Sequence, residues 1–219
     1  EPCLRHLACL RSRGETERAE SLAREVIVSG TLINDDGVWV AWLEATVQGL
    51  RKPLSDVVAS WPAPPTARAD SLGIALRAVV EELASKGAVR IDCGGPALIA
   101  EDGKSWWADR FFQGGLAWTT EDARGRGRGG LAPVYWGLRS FPGSLQIRPG
   151  YSVPIVQRRY RVHLHFAEYV ASRRGARSFT VLLEGRSVLA NHQVLKERTA
   201  SFEVLTFEVD VKDAFLDID

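Results

Sequence analysis

Two hydrophobic periodicities divide the chain. In the first 87 residues apolar positions recur every three to four residues, the period of an amphipathic helix. Ala19, Leu22, Ala23 and Val26 form one such stripe, with Thr16 as its cap, Glu17 in its first turn, and Gly14 and Gly30 as its bounds. Val38, Ala41, Trp42 and Ala45 form a second, with Asp35 and Asp36 as cap candidates and Gly49 as its end. Pro53 suits the first turn of a short helix reaching Ser60. The run Trp61-Pro62-Ala63-Pro64-Pro65 breaks helical structure, because proline lacks the amide hydrogen and blocks the preceding turn. Leu72, Leu76, Val79, Val80 and Leu83 predict a longer helix that stops at Gly87.

From Val89 the pattern changes to short alternating segments. Val162, Leu164 and Phe166 alternate with His163 and His165. Phe179, Val181 and Leu183 continue the style, as do Phe202, Val204, Phe207, Val209 and Val211. Pro142-Gly143, Pro149-Gly150, Gly185 and Asn191 punctuate them. Many short strands with turns between them predict a sandwich or jelly roll. The expected class is α+β in two domains: a helical module over 1–86 and an all-β region over 87–219, with the junction between Ser85 and Ala88.

Composition changes this picture little. The chain has 219 residues, 45% of them hydrophobic and 25% charged, which suits a folded chain of one or two domains. A net charge of +1 gives no global attraction to nucleic acid or anionic membrane. No apolar run spans a bilayer; Gly73 to Val80 is short and interrupted by Arg77. Cys3, Cys9 and Cys93 are too few and too scattered for a disulfide framework, so three reduced thiols are expected. The absence of Met and the opening Glu1 suggest a piece of a longer protein, and they leave the compartment unknown. Arg124 to Gly130 alternates arginine with glycine and reads as a flexible loop, either a solvated hairpin tip or a phosphate contact.

Several segments of the β region, in order, resemble the malectin domain family. They are Val89-Arg-Ile-Asp-Cys-Gly-Gly-Pro96, Asp102-Gly-Lys-Ser-Trp-Trp-Ala-Asp109 and Phe111-Phe-Gln-Gly-Gly115, followed by Val134-Tyr-Trp-Gly-Leu-Arg139. Tyr160-Arg-Val-His-Leu-His-Phe-Ala-Glu168 and the hairpin Phe179 to Leu189 come next, then the late strand Phe207 to Ile218. The resemblance covers about 88–219. It implies a jelly-roll-like β-sandwich, carbohydrate recognition and no catalysis. More loosely, Gly14, Ala19 and the later Asp-Asp-Gly-x-Trp resemble a tetratricopeptide repeat over about 1–50.

A sugar site is expected to stack pyranose faces on flat aromatics and to orient hydroxyls with a few polar groups. Trp118 is nearest to the family's ligand aromatic after the glycine pair. Phe141 is nearest to a second, displaced by one residue. The family's Tyr-Phe pair falls at Val170-Ala171, with Tyr169 adjacent, and its last ligand-binding Asp would come after Asp219. The candidate ligand contacts are Trp118, Tyr135, Trp136, Arg139, Phe141 and Tyr169. Trp106 and Trp107, adjacent on a strand, are expected to split between core and surface. Asp109 and Glu168 are two carboxylates, but the family equivalents are not catalytic. His163 and His165 share a strand face without a third ligand, so neither metal nor cofactor is expected. The leading function is non-catalytic oligosaccharide or glycan binding beside a helical interaction segment with a possible protein partner, without nucleic acid or a membrane span. The alternative is a protein- or peptide-interaction module in the sensor part of a larger bacterial signalling protein.

Overall fold

The computed structural model describes residues 2–29, 36–49, 52–62, 71–86, 88–119, 132–141, 149–155, 157–168, 177–194, 201–213 and 215–219. By internal contacts the chain divides into two compact units. One is 1–89 with 154–157 and 212–215; the other is 90–153, 158–211 and 216–219.

The helical unit contains α1 (Pro2–Ser12), α2 (Thr16–Ser29), α3 (Asp36–Glu44), α4 (Leu54–Ala59) and α5 (Ser71–Lys86), with a π-helical segment at Ala45–Gly49. Gly14 ends α1 in the left-handed conformation at φ 71°, and the Glu15 amide reaches back to the Leu10 carbonyl at 2.9 Å. Thr16 is not the cap of α2 but its first helical residue. Its hydroxyl turns to the Gly14 carbonyl, and Glu15 precedes the helix, accepting the Ala19 amide. Ala19, Ala23 and Ile27 are the buried stripe of α2, and Leu10, Ala19 and Ala45 pack together with Leu22. Alanine at these contacts lets helices approach closely.

Trp39 and Trp42 are fully buried, as core residues of an amphipathic stripe should be. The Trp39 ring stacks on Trp61 at 5.2 Å, and Trp42 meets Trp61 edge-on at the same distance. The Glu20 carboxylate accepts both the Trp42 indole N–H and the Arg24 Nε–H, each at 2.9 Å. Arg24 also donates to the Ser60 carbonyl and lies 5.5 Å from the Trp42 ring. A polar arch thus ties α2, α3 and the end of α4 over an aromatic core.

The second unit is β-rich, as the alternation predicts. Its strands are β1 (Ile91–Asp92), β2 (Leu98–Ile99), β3 (Ser105–Ala108), β4 (Phe112–Gln113), β5 (Leu116–Thr119), β6 (Gly137–Ser140), β7 (Gly150–Pro154), β8 (Arg159–Glu168), β9 (Phe179–Leu183), β10 (Arg186–His192), β11 (Ser201–Asp210) and β12 (Phe215–Ile218). Among the described residues they form a three-stranded sheet β1-β3-β2, a five-stranded sheet β10-β9-β12-β7-β4, and the ribbons β11-β8 and β5-β6. The β8–β11 ladder runs unbroken from Arg159↔Asp210 to Glu168↔Ser201.

That ladder corrects one reading of the pattern. Phe202 and Val204 differ in parity from Phe207 and Val209, so they lie on the opposite face. Phe202 is 58% exposed and shares its outer face with His163 and His165, whereas Phe207 and Val209 are half-buried. Trp106 and Trp107 also depart from expectation: both are half-buried, and Trp106 meets His165 edge-on at 5.1 Å.

Candidate functional site

The site is built on a turn of unusual closeness. After β1, Cys93-Gly94-Gly95 folds back so that the Gly95 amide donates to the Asp92 carbonyl at 3.0 Å. Gly94 has φ +83°, and a Cβ there would lie 2.2 Å from the Leu138 carbonyl oxygen. A Cβ on Gly137 would lie 2.8 Å from the Gly95 Cα. Only bare backbone allows β6 to press on this turn. The Gly95 carbonyl then accepts the Asp109 amide at 3.1 Å, fixing the residue that follows β3.

Asp109 is the polar centre. Its Oδ2 accepts from Arg139 Nε at 2.7 Å and pairs with the Arg139 terminal nitrogen at 2.6 Å. Its Oδ1 accepts the Tyr151 hydroxyl at 2.8 Å. The Asp109 and Arg139 side chains are each 8% exposed, so the pair is buried. Arg139 donates a third bond to the Gly114 carbonyl at 3.0 Å, and its guanidinium lies 3.4 Å from the Phe112 ring centre. The fork is committed to protein groups, which makes Arg139 the support of the surface above it. Burial, reinforced by the charge of Asp109, pushes the Tyr151 phenol above its usual range. Burial, reinforced again by Asp109, raises Asp92 from 3.8 to about 7.

The glycine pair seats the aromatic surface. Gly114 and Gly115 both have positive φ, and a Cβ on Gly115 would meet the Phe141 ring at 2.7 Å. Phe141 packs edge-on against Tyr151 at 6.1 Å and is 37% exposed. In the β5–β6 ribbon Trp118 pairs with Leu138 and Leu116 with Ser140, so these four share one face, and Arg139 points to the other. Trp118 is 46% exposed, and its indole N–H donates to Ser140 Oγ at 2.8 Å.

Tyr135 ends a 3-10 turn (Pro133–Tyr135) directly before β6. Its hydroxyl bonds His165 Nδ1 at 3.1 Å, and its ring packs on His165 and on Phe202. Burial raises the Tyr135 pKa. Burial, then the charge of His163, lowers that of His165, which keeps the imidazole neutral at neutral pH. Trp136 follows, 40% exposed. The structure therefore gathers five of the expected residues on or beside the β5–β6 ribbon: Trp118, Trp136 and Phe141 exposed, Tyr135 half-buried, Arg139 buried beneath. Tyr169 lies outside the described residues. Asp109 and Tyr151 were not among the expected contacts. The Trp-Trp-Ala-Asp run pointed to Asp109; nothing in the local pattern singled out Tyr151.

The family model of the malectin domain matches residues 88–219. The chain belongs to the malectin domain family. The match takes in the whole turn, glycine pair and β5–β6 ribbon just described. It leaves the helices uncovered, and the tetratricopeptide resemblance finds no support there. No curated protein and no solved structure matches the chain. Among the described residues of the malectin domain and the helices, no group of three His, Cys, Asp or Glu side chains could hold a metal ion. No described helix is long and apolar enough to cross a membrane.

Proposed function

We propose that the malectin domain of this chain is a non-catalytic saccharide-binding module whose stacking surface is Trp118, Trp136 and Phe141, with Tyr135 at its border and Arg139 beneath. The observation that carries this reading is that three large aromatics, Trp118, Trp136 and Phe141, are each exposed on or beside one short ribbon that a buried ion pair anchors. Exposed rings on a rigid base stack on the apolar C–H face of a pyranose with little loss of side-chain freedom. The Asp109 carboxylate is fully engaged by Arg139 and Tyr151, which suits a structural carboxylate and not a general acid or base. The jelly-roll-like sandwich that the family implies belongs to the same reading.

The test is a glycan array on the intact chain, with calorimetry on each hit. Saturable binding lost in Trp118→Ala or Phe141→Ala, with melting temperature retained, supports the assignment. A folded chain that binds no glycan refutes it. A second reading, peptide or protein binding, draws on Phe202 and Val204, which lie exposed beside Tyr135 on the outer face of β11. A clean array followed by capture of a peptide that Phe202→Ser abolishes would establish that reading instead.

A further inference from the structure

The outer face of the β8–β11 ribbon carries a pair of histidines that the saccharide reading does not use. His163 and His165 stand two residues apart on β8, so their Cα atoms are roughly 7 Å apart and both side chains leave the same face. Both residues are exposed. Each ring is tied at Nδ1 to a hydroxyl: His163 to Thr206 Oγ1 at 2.9 Å across the ladder, and His165 to the Tyr135 hydroxyl at 3.1 Å. Trp106 steadies the second ring further, meeting it edge-on at 5.1 Å. Among the described residues neither Nε2 has a hydrogen-bond partner. In the tautomer that donates Nδ1–H to the hydroxyl oxygen, Nε2 carries the free lone pair. That is how a metal-binding histidine is held: the protein engages one ring nitrogen and leaves the other for the ion. The flanking charges on this face balance, because Arg161 faces Glu208 and Arg159 faces Asp210 in register, so no excess positive charge opposes a cation.

We propose that His163 and His165 form an open two-imidazole site for one divalent transition-metal ion of the nickel, copper and zinc group. Imidazole suits these ions, and Cu(II) binds tightest in their ordinary order of affinity. Imidazoles at this spacing on one strand face reach a common ion, with bonds of about 2.0–2.1 Å. Water fills the remaining positions: Val204, opposite His165, offers no donor atom, and Thr206, opposite His163, is already engaged by its ring. The expectation of no metal asked for a third protein ligand, and the described residues hold no group of three. An open site needs only two and holds its ion more weakly. It shares no residue with the stacking surface, so it stands whether or not the domain binds a saccharide.

Ni(II) is the probe, because unlike Cu(II) it does not oxidise the free thiols of Cys3, Cys9 and Cys93. The isotope-labelled intact chain is titrated with it at neutral pH, with amide broadening followed by NMR and affinity by calorimetry. One ion per chain is expected, with paramagnetic broadening that begins at 162–166 and at 204–206 on the paired strand. His163→Gln and His165→Gln are each expected to weaken binding by about tenfold or more. Thr206→Val removes only the Nδ1 partner of His163 and is expected to weaken it about tenfold, an effect on Ni(II) affinity that a merely structural contact would not have. Melting temperatures show which variants are folded. His163 is exposed, so His163→Gln keeps the test decisive if His165→Gln, which also loses a contact with Trp106, does not fold. Parent-like affinity in folded His163→Gln overturns the site. So does broadening that begins at His6 in α1 or at His192, which would mean an adventitious ion only.

Discussion

Asp92 makes the stability of the β-rich unit depend on pH through one group. It ends β1, is 2% exposed, and lies so close under the glycine turn that its Oδ2 would be 2.0 Å from a Cβ on Gly95. Burial, then the charge of Asp109, raises its pKa from 3.8 to about 7. Below pH 3.8 the group is protonated in both folded and unfolded chains and imposes no penalty. Between pH 3.8 and about 7 the folded chain keeps a proton that the unfolded chain has lost, so stability falls as pH rises. Above about 7 both forms are ionised and the loss is complete, at about 4 kcal/mol for a shift of roughly three units. Asp92→Asn fills the same volume and does not titrate. Chemical denaturation of parent and variant at several pH values is the assay. Between pH 5 and pH 8 the parent is expected to lose about 3 kcal/mol more than Asp92→Asn. A parent-minus-variant difference that stays flat across that range would refute the reasoning, because it would mean that the Asp92 carboxylate ionises at its ordinary pKa in the folded chain.

Three further perturbations have definite expected outcomes. Arg139→Met removes one partner of the buried Asp109 pair and leaves the Asp109 charge with only the Tyr151 hydroxyl to stabilise it; it is expected to cost about 3–5 kcal/mol in urea denaturation. Gly94→Ala places a methyl group within 2.2 Å of the Leu138 carbonyl at a positive φ, so it is expected to lower the melting temperature and to weaken the docking of β6, seen as faster amide exchange at Leu138 and Arg139. Glu20→Ala orphans the buried Trp42 N–H and releases Arg24; a loss of about 1–3 kcal/mol in the denaturation of the helical unit is expected, with a change in tryptophan emission.

Much of the fold was legible from spacing, and the failures share a cause. The stripe through Ala19 and Ala23 located α2, and alternation from Val162 to Phe166 located β8, because each pattern repeats over several turns or pleats. The cap at Thr16 was misplaced by one residue, since the choice between Glu15 and Thr16 turns on backbone angles that a sequence does not display. Phe202 and Val204 were grouped with Phe207 and Val209 because all are apolar strand formers; only the ladder fixes their parity. In the site, exposed aromatics near turns and glycines announced themselves. Tyr151 stands in a different sheet from Arg139, and Asp217 lies 65 positions from Ser152. Such partners meet through long-range closure of the sheets, which no local period encodes.

The β5–β6 ribbon has a consequence for how this domain diversifies. Its two faces have separate duties: Leu116, Trp118, Leu138 and Ser140 look one way, while Arg139 looks the other, toward Asp109 and Phe112. The Trp118 side chain bonds to Ser140, a residue of the same ribbon. Substitutions on the outer face therefore leave the anchoring ion pair and the glycine turn untouched. Selection can try new rings at Trp118 or Leu116 while the melting point holds, so under the proposed saccharide reading ligand preference can drift between descendants faster than the architecture that presents it.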